Sequence, residues 1–120
     1  MDFKFINTGY LEMVSAGDHE TIQEIIDIFR DQAFEISSEM RNCLRSKNYS
    51  SLGMLAHKAK SSVAIIGMQE LAEMLRLLEA ESKTGINEGS YESFISRFEN
   101  ETRFAIEELD IWITKRRRGD

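Results

Sequence analysis

Apolar residues recur at spacings of three and four along most of this chain, the period of a helix with one buried face. The longest run takes Ile22, Ile25, Ile26, Phe29, Ala33, Ile36, Met40, Cys43 and Leu44, about six turns in step. Asp18 sits just before it as an N-cap. Residues 8–16 read as a short helix, with Thr8 as its cap and Leu11 and Val14 facing inward. A third helix starts at Asn48 or Ser50 and ends near Gly67, where glycine takes the left-handed conformation cheaply. A fourth runs from Met68 to Lys83 with Leu71, Leu75 and Leu78 on one side, and a fifth from Asn87 to Lys115 with Phe94, Phe98, Ala105, Leu109 and Trp112 in step. No stretch alternates like a half-buried strand. The pattern predicts an all-α fold: an antiparallel up-down four-helix bundle with a short extra N-terminal helix packed across one end.

Composition narrows this further. A chain of 120 residues with 42% hydrophobic and 30% charged positions is one domain, 1–120, with a core of its own. Met1 and the length suit a free-standing protein, and a domain excised from a larger protein would read the same. One cysteine, Cys43, excludes an internal disulfide framework and reads as a buried small hydrophobe, and two histidines leave little with which to build a metal centre. No apolar run is long enough to cross a bilayer and no signal pattern opens the chain, so no membrane is expected and the compartment is cytoplasmic.

The net charge of −6 argues against nucleic acid as a partner. It conceals an asymmetry: from Met40 to Gln69 there is no acidic residue, while Arg41, Arg45, Lys47, Lys58 and Lys60 are basic. Such a segment is either a solvated face or suited to an acidic pocket or a phosphoryl group. The closing Lys115-Arg116-Arg117-Arg118 offsets a helix dipole, and Arg118-Gly119-Asp120 is a chance tripeptide.

The third helix carries the chemistry. Advancing about 100° per residue from His57 puts Ser50, Gly53, Met54, Lys60, Ser61 and Ala64 around it, and Leu52, Leu55, Ala59, Ser62, Val63 and Ile66 on the far side. His57 therefore points outward, mid-helix. A solvent face normally carries Glu, Lys or Gln, and small residues here fit a surface that another protein approaches closely. A neutral imidazole has a free nitrogen lone pair that attacks phosphorus. Lys60 and Lys58 stand near enough to offset phosphoryl charge. Nothing near it in the chain supplies a carboxylate, a metal cage or an oxyanion hole, so the segment reads as a carrier rather than an enzyme. His19, at a helix start with no lysine three residues on, reads as structural.

The segment Ala56-His57-Lys58-Ala59-Lys60-Ser61-Ser62, followed by Gly67, Leu71 and the Leu77-Leu78-Glu79 run, resembles the histidine-containing phosphotransfer (HPt) domain of two-component phosphorelays. The Gly17-Asp18 break and Phe29 also fit, so the resemblance covers nearly the whole chain. It implies that His57 is the phosphoacceptor, that Lys60 lies beside the phosphoryl group, and that Ser61 stands where the family often has glycine. Ala59 replaces a common leucine. The implied function is a phosphorelay intermediate that takes a phosphoryl group from a receiver-domain phosphoaspartate and passes it to another receiver. Partners would be receiver domains of response regulators or hybrid kinases. The chain would have no cofactor or metal of its own, with Mg²⁺ on the receiver, and would act as a monomer. The expected site is His57 with Lys60, Ser61, Lys58, Gly53, Met54 and Ala64 around it. The alternative is an unphosphorylated helical adaptor or inhibitor that docks on a receiver or kinase.

Overall fold

The computed structural model describes residues 3–119; the first two residues and the closing Asp120 lie outside the described residues. It contains five α-helices: α1 (Thr8–Ser15), α2 (His19–Arg45), α3 (Tyr49–Ile66), α4 (Gln69–Thr84) and α5 (Tyr91–Arg118), with a 3₁₀ turn at Glu88–Ser90 before the last. No strand occurs among the described residues. α2 to α5 form the up-down bundle. Each packs on the next, and α5 returns to α2 to close the ring.

Local chemistry starts and stops these helices. The Asp18 carboxylate accepts the Thr21 backbone N–H at 2.9 Å, and the Asn48 side chain accepts that of Ser51 at 3.2 Å. The first cap is Asn7 rather than Thr8: its side chain accepts the Tyr10 N–H at 3.0 Å, so the hydroxyl one residue on is already helical. Gly67 ends α3 with φ +88°. A Cβ there would also lie 2.4 Å from Asn7 Cβ. That close passage lets the Asn7 N–H reach the Ile66 carbonyl at 3.0 Å, which ties α1 to the end of α3.

The core follows the predicted stripes. Ile22, Ile26, Phe29, Ala33, Ile36 and Met40 of α2 meet Leu52, Ala56, Ala59, Val63 and Ile66 of α3; Leu71, Leu75, Leu78, Phe98, Ala105 and Leu109 complete it. Burying each large side chain stabilises the fold by roughly 1.5–3 kcal/mol. Ile25, Cys43, Leu44, Phe94 and Trp112 are only partly buried at its rim, so Cys43 is a boundary residue rather than a core one. Val14 corrects the expected inward face of α1. It is exposed, while Ser15, one turn after Leu11, is buried in its stead. The last helix begins at Tyr91 rather than Asn87, whose φ of +57° breaks it off, and extends to Arg118.

α1 covers the end of the bundle where α5 finishes. Arg116 donates to both Glu12 oxygens at 2.8 and 3.0 Å and to the Gly17 carbonyl at 3.0 Å. Ahead of α1, the backbone N–H groups of Lys4, Phe5 and Ile6 all reach the Glu108 carboxylate. No helix among the described residues is long and apolar enough to cross a membrane.

Candidate functional site

α3 and α4 are joined across the tight turn at Gly67–Met68 and run antiparallel, so residues equidistant from that turn face each other. Reflection through it carries His57 to positions 78 and 79, and there the structure places Glu79. His57 Nδ1 lies 3.1 Å from Glu79 Oε2, with the imidazole 65% exposed and the carboxylate only 16%. Lys60 Nζ reaches the other oxygen, Oε1, at 3.3 Å, and Lys83 Nζ lies 3.8 Å from Oε2. Along α3 no carboxylate stands near His57; the group comes from the neighbouring helix, through the fold.

Burial alone would raise the Glu79 carboxyl. Hydrogen bonds from Lys60 and His57, with their charges, outweigh it and hold the group below its ordinary value. Glu79 is therefore an anion near neutral pH and can only accept hydrogen bonds. Its partner Nδ1 must carry the proton. In neutral His57 the lone pair is then on Nε2, the nitrogen that Glu79 does not engage.

Ser50, Gly53, Met54, His57, Glu79 and Lys83 line an open cleft of about 420 Å³. A larger groove of about 780 Å³ lies between α2 and α5, on the opposite edge of the ring, and holds none of these residues. Around His57, Met54 and Ser61 are exposed and Ala64 is half-buried. Among the described residues the Ser61 hydroxyl has no hydrogen-bond partner. Ser62, on the inner flank, instead donates to the Gln32 side chain of α2. Gly53 departs from expectation: it lines the cleft but is buried, pressed against α4 rather than offered to a visitor. Lys58 lies on the far flank, in a groove with Glu39, Cys43 and Met54. The basic segment is not one patch either. Arg41 turns away to α5, where Glu99 and Glu92 bind it and push its pKa upward.

A comparison with protein-family models matches the Hpt domain over residues 24–110, a span from the first turns of α2 to near the end of α5. The chain belongs to the Hpt domain family. Its general role is phosphotransfer in a two-component phosphorelay, and Hpt domains work with receiver domains of response regulators and kinases. The matched span contains His57, Lys60, Glu79 and Lys83 and omits α1. Comparison with curated proteins and with solved structures finds no match.

Glu79 and Lys83 were missing from the expected site. The signal for both was present: a helix stop at Gly67, two helices of similar length, and a carboxylate at the mirror position of the histidine. Lys83 follows Glu79 by one turn on the same face.

Proposed function

We propose that His57 is the phosphoacceptor of this Hpt domain, taking a phosphoryl group from the phosphoaspartate of one receiver domain and delivering it to another. The observation that carries this reading is the pairing of His57 with Glu79 at 3.1 Å on an otherwise open helix face. It directs the free lone pair of an exposed imidazole toward solvent, where an incoming phosphorus arrives.

The step balances simply. The Nε2 lone pair attacks phosphorus and forms the N–P bond. The P–O bond to the receiver's carboxylate breaks, and that carboxylate leaves with the electron pair. The proton stays on Nδ1, so the phosphorylated ring is cationic, and Glu79 faces the charge as it develops. In the second transfer the carboxylate of the next receiver attacks and His57 departs as neutral imidazole. Lys60 and Lys83, both within reach of Glu79, are assigned to the phosphoryl oxygens, whose added charge competes with the carboxylate for them. Met54, Ser61 and Ala64 supply the low surface on which the receiver settles, and Lys58 its cationic flank.

The divalent ion is assigned to the receiver. Among the described residues, no group of three or more His, Cys, Asp or Glu is placed to hold one. On this reading the chain is a carrier that borrows the catalytic parts of its partner.

Incubation with a phosphorylated receiver tests the reading. The chain should gain an acid-labile, base-stable phosphate, and His57→Gln should abolish it while helical circular dichroism persists. Undiminished label on that variant would remove His57 from the role. Binding of the receiver without any label on the native chain would favour the adaptor.

A further inference from the structure

Gly53 stands one turn before His57 on α3, and Ser82 three residues after Glu79 on α4. In the antiparallel register the two pairs lie one level apart. A Cβ on Gly53 would sit 2.7 Å from Ser82 Oγ, closer than such atoms approach, yet 3.8 Å from Ser82 Cβ and 3.5 Å from the Glu79 carbonyl oxygen, which are ordinary contacts. Only the hydroxyl is in the way. That hydroxyl is buried and donates to the Glu79 carbonyl at 3.2 Å, so turning it aside gives up that bond. The backbone itself does not ask for glycine: Gly53 is absent from the residues with positive φ and lies inside a regular helix, where glycine is the poorest former after proline. Space against α4 is therefore what the glycine supplies.

We propose that Gly53 is a positioning residue: by meeting Ser82 without a Cβ, it holds α4 close enough to α3 for Glu79 to engage the Nδ1 proton of His57. This rests on the reading of His57 as phosphoacceptor only for its effect on transfer; the effect on the imidazole itself is independent. A Cβ at this level that meets the Ser82 hydroxyl acts at one end of the Glu79 turn and widens the gap that the carboxylate must span.

Three variants of the full chain, Gly53→Ala, Ser82→Ala and the double variant, separate this from a merely structural role. The readout is the ¹⁵N spectrum of the His57 ring at a pH where it is neutral, together with the initial rate of labelling by a phosphorylated receiver. Gly53→Ala should keep its helical circular dichroism, because alanine favours helix. It should shift the ring toward the Nε2–H tautomer and slow labelling severalfold. Ser82→Ala keeps the glycine and should leave the tautomer as in the native chain. The double variant removes the clashing atom and should restore both readouts. A native tautomer in Gly53→Ala would overturn the proposal, as would a double variant no better than Gly53→Ala. If the tautomers follow the predicted order while even the native chain takes no label, the positioning role stands and the phosphoacceptor reading falls.

Discussion

The two imidazoles of this chain, His57 and His19, both stand beside a charged partner, and the partners have opposite sign. His57 Nδ1 faces the Glu79 carboxylate at 3.1 Å, whereas His19 Nδ1 faces the Arg116 guanidinium at 3.2 Å. A guanidinium has donors and no acceptor, so His19 Nδ1 must accept, and in the neutral ring its proton lies on Nε2. Its only lone pair is thereby engaged. The carboxylate beside His57 does the reverse and leaves Nε2 unencumbered. Location sharpens the contrast. His57 lies mid-helix over an open cleft, while His19 is half-buried where α1, the start of α2 and the end of α5 converge. The lesson is that exposure alone does not make a nucleophile; the neighbour on the second nitrogen decides which histidine has a lone pair to give.

The largest effect expected from this contrast is the loss of all transferred phosphate in His57→Gln against full labelling in His19→Gln, read by acid-labile label on each chain. Labelling that fell equally in both would erase the distinction. Next comes Glu79→Gln, which keeps the shape but removes the charge that faces the phosphorylated ring. A hydrogen bond to a charged group is worth about 1.5–3 kcal/mol, so the initial transfer rate should fall by roughly 10- to 100-fold. An unchanged rate would reduce Glu79 to a structural contact.

Arg116→Ala probes the other end of the molecule. It frees α1 from α5 and removes the donor at His19, yet the pair it breaks is only half-buried, at the edge of the bundle. Stability should drop by only about 1 kcal/mol, seen as a thermal midpoint a few degrees lower, with transfer to His57 unaffected. The smallest effect concerns titration. The Glu79 carboxyl is held below its ordinary value of 4.5. It therefore contributes stability above its unfolded pKa, and that contribution fades as pH falls through the lower folded one. In Lys60→Ala one of the two principal opposing hydrogen bonds is lost while burial remains. A carboxyl-carbon NMR titration should then find the Glu79 midpoint moved upward, and a midpoint that stayed put would deny Lys60 its part.

Most of the architecture was legible in the chain. The three-and-four spacing located every helix of the bundle, because each buries one stripe, and Asp18, Asn48 and Gly67 marked ends through side-chain and backbone chemistry that acts locally. The errors lie where tertiary contact decides. Val14 is apolar but faces water because α1 covers only a corner of the bundle. Arg41 seemed part of a basic patch until the carboxylates of α5 claimed it. At the site, the outward angle of His57 was readable from helical geometry alone. The sequence offers Glu79 only as part of the motif and gives neither it nor Lys83 a place beside His57, because both belong to another helix and become neighbours only through the turn at Gly67. Helical angle alone puts Gly53 on the visitor's surface, whereas its lack of a side chain serves α4 instead.

The most direct test is to react the native chain with a phosphorylated receiver and locate the new bond by ³¹P–¹⁵N NMR on ring-labelled histidine. A single phosphoryl group should appear on Nε2 of His57, with Nδ1 still protonated toward Glu79. Phosphate on Nδ1, on His19, or on neither ring would contradict it.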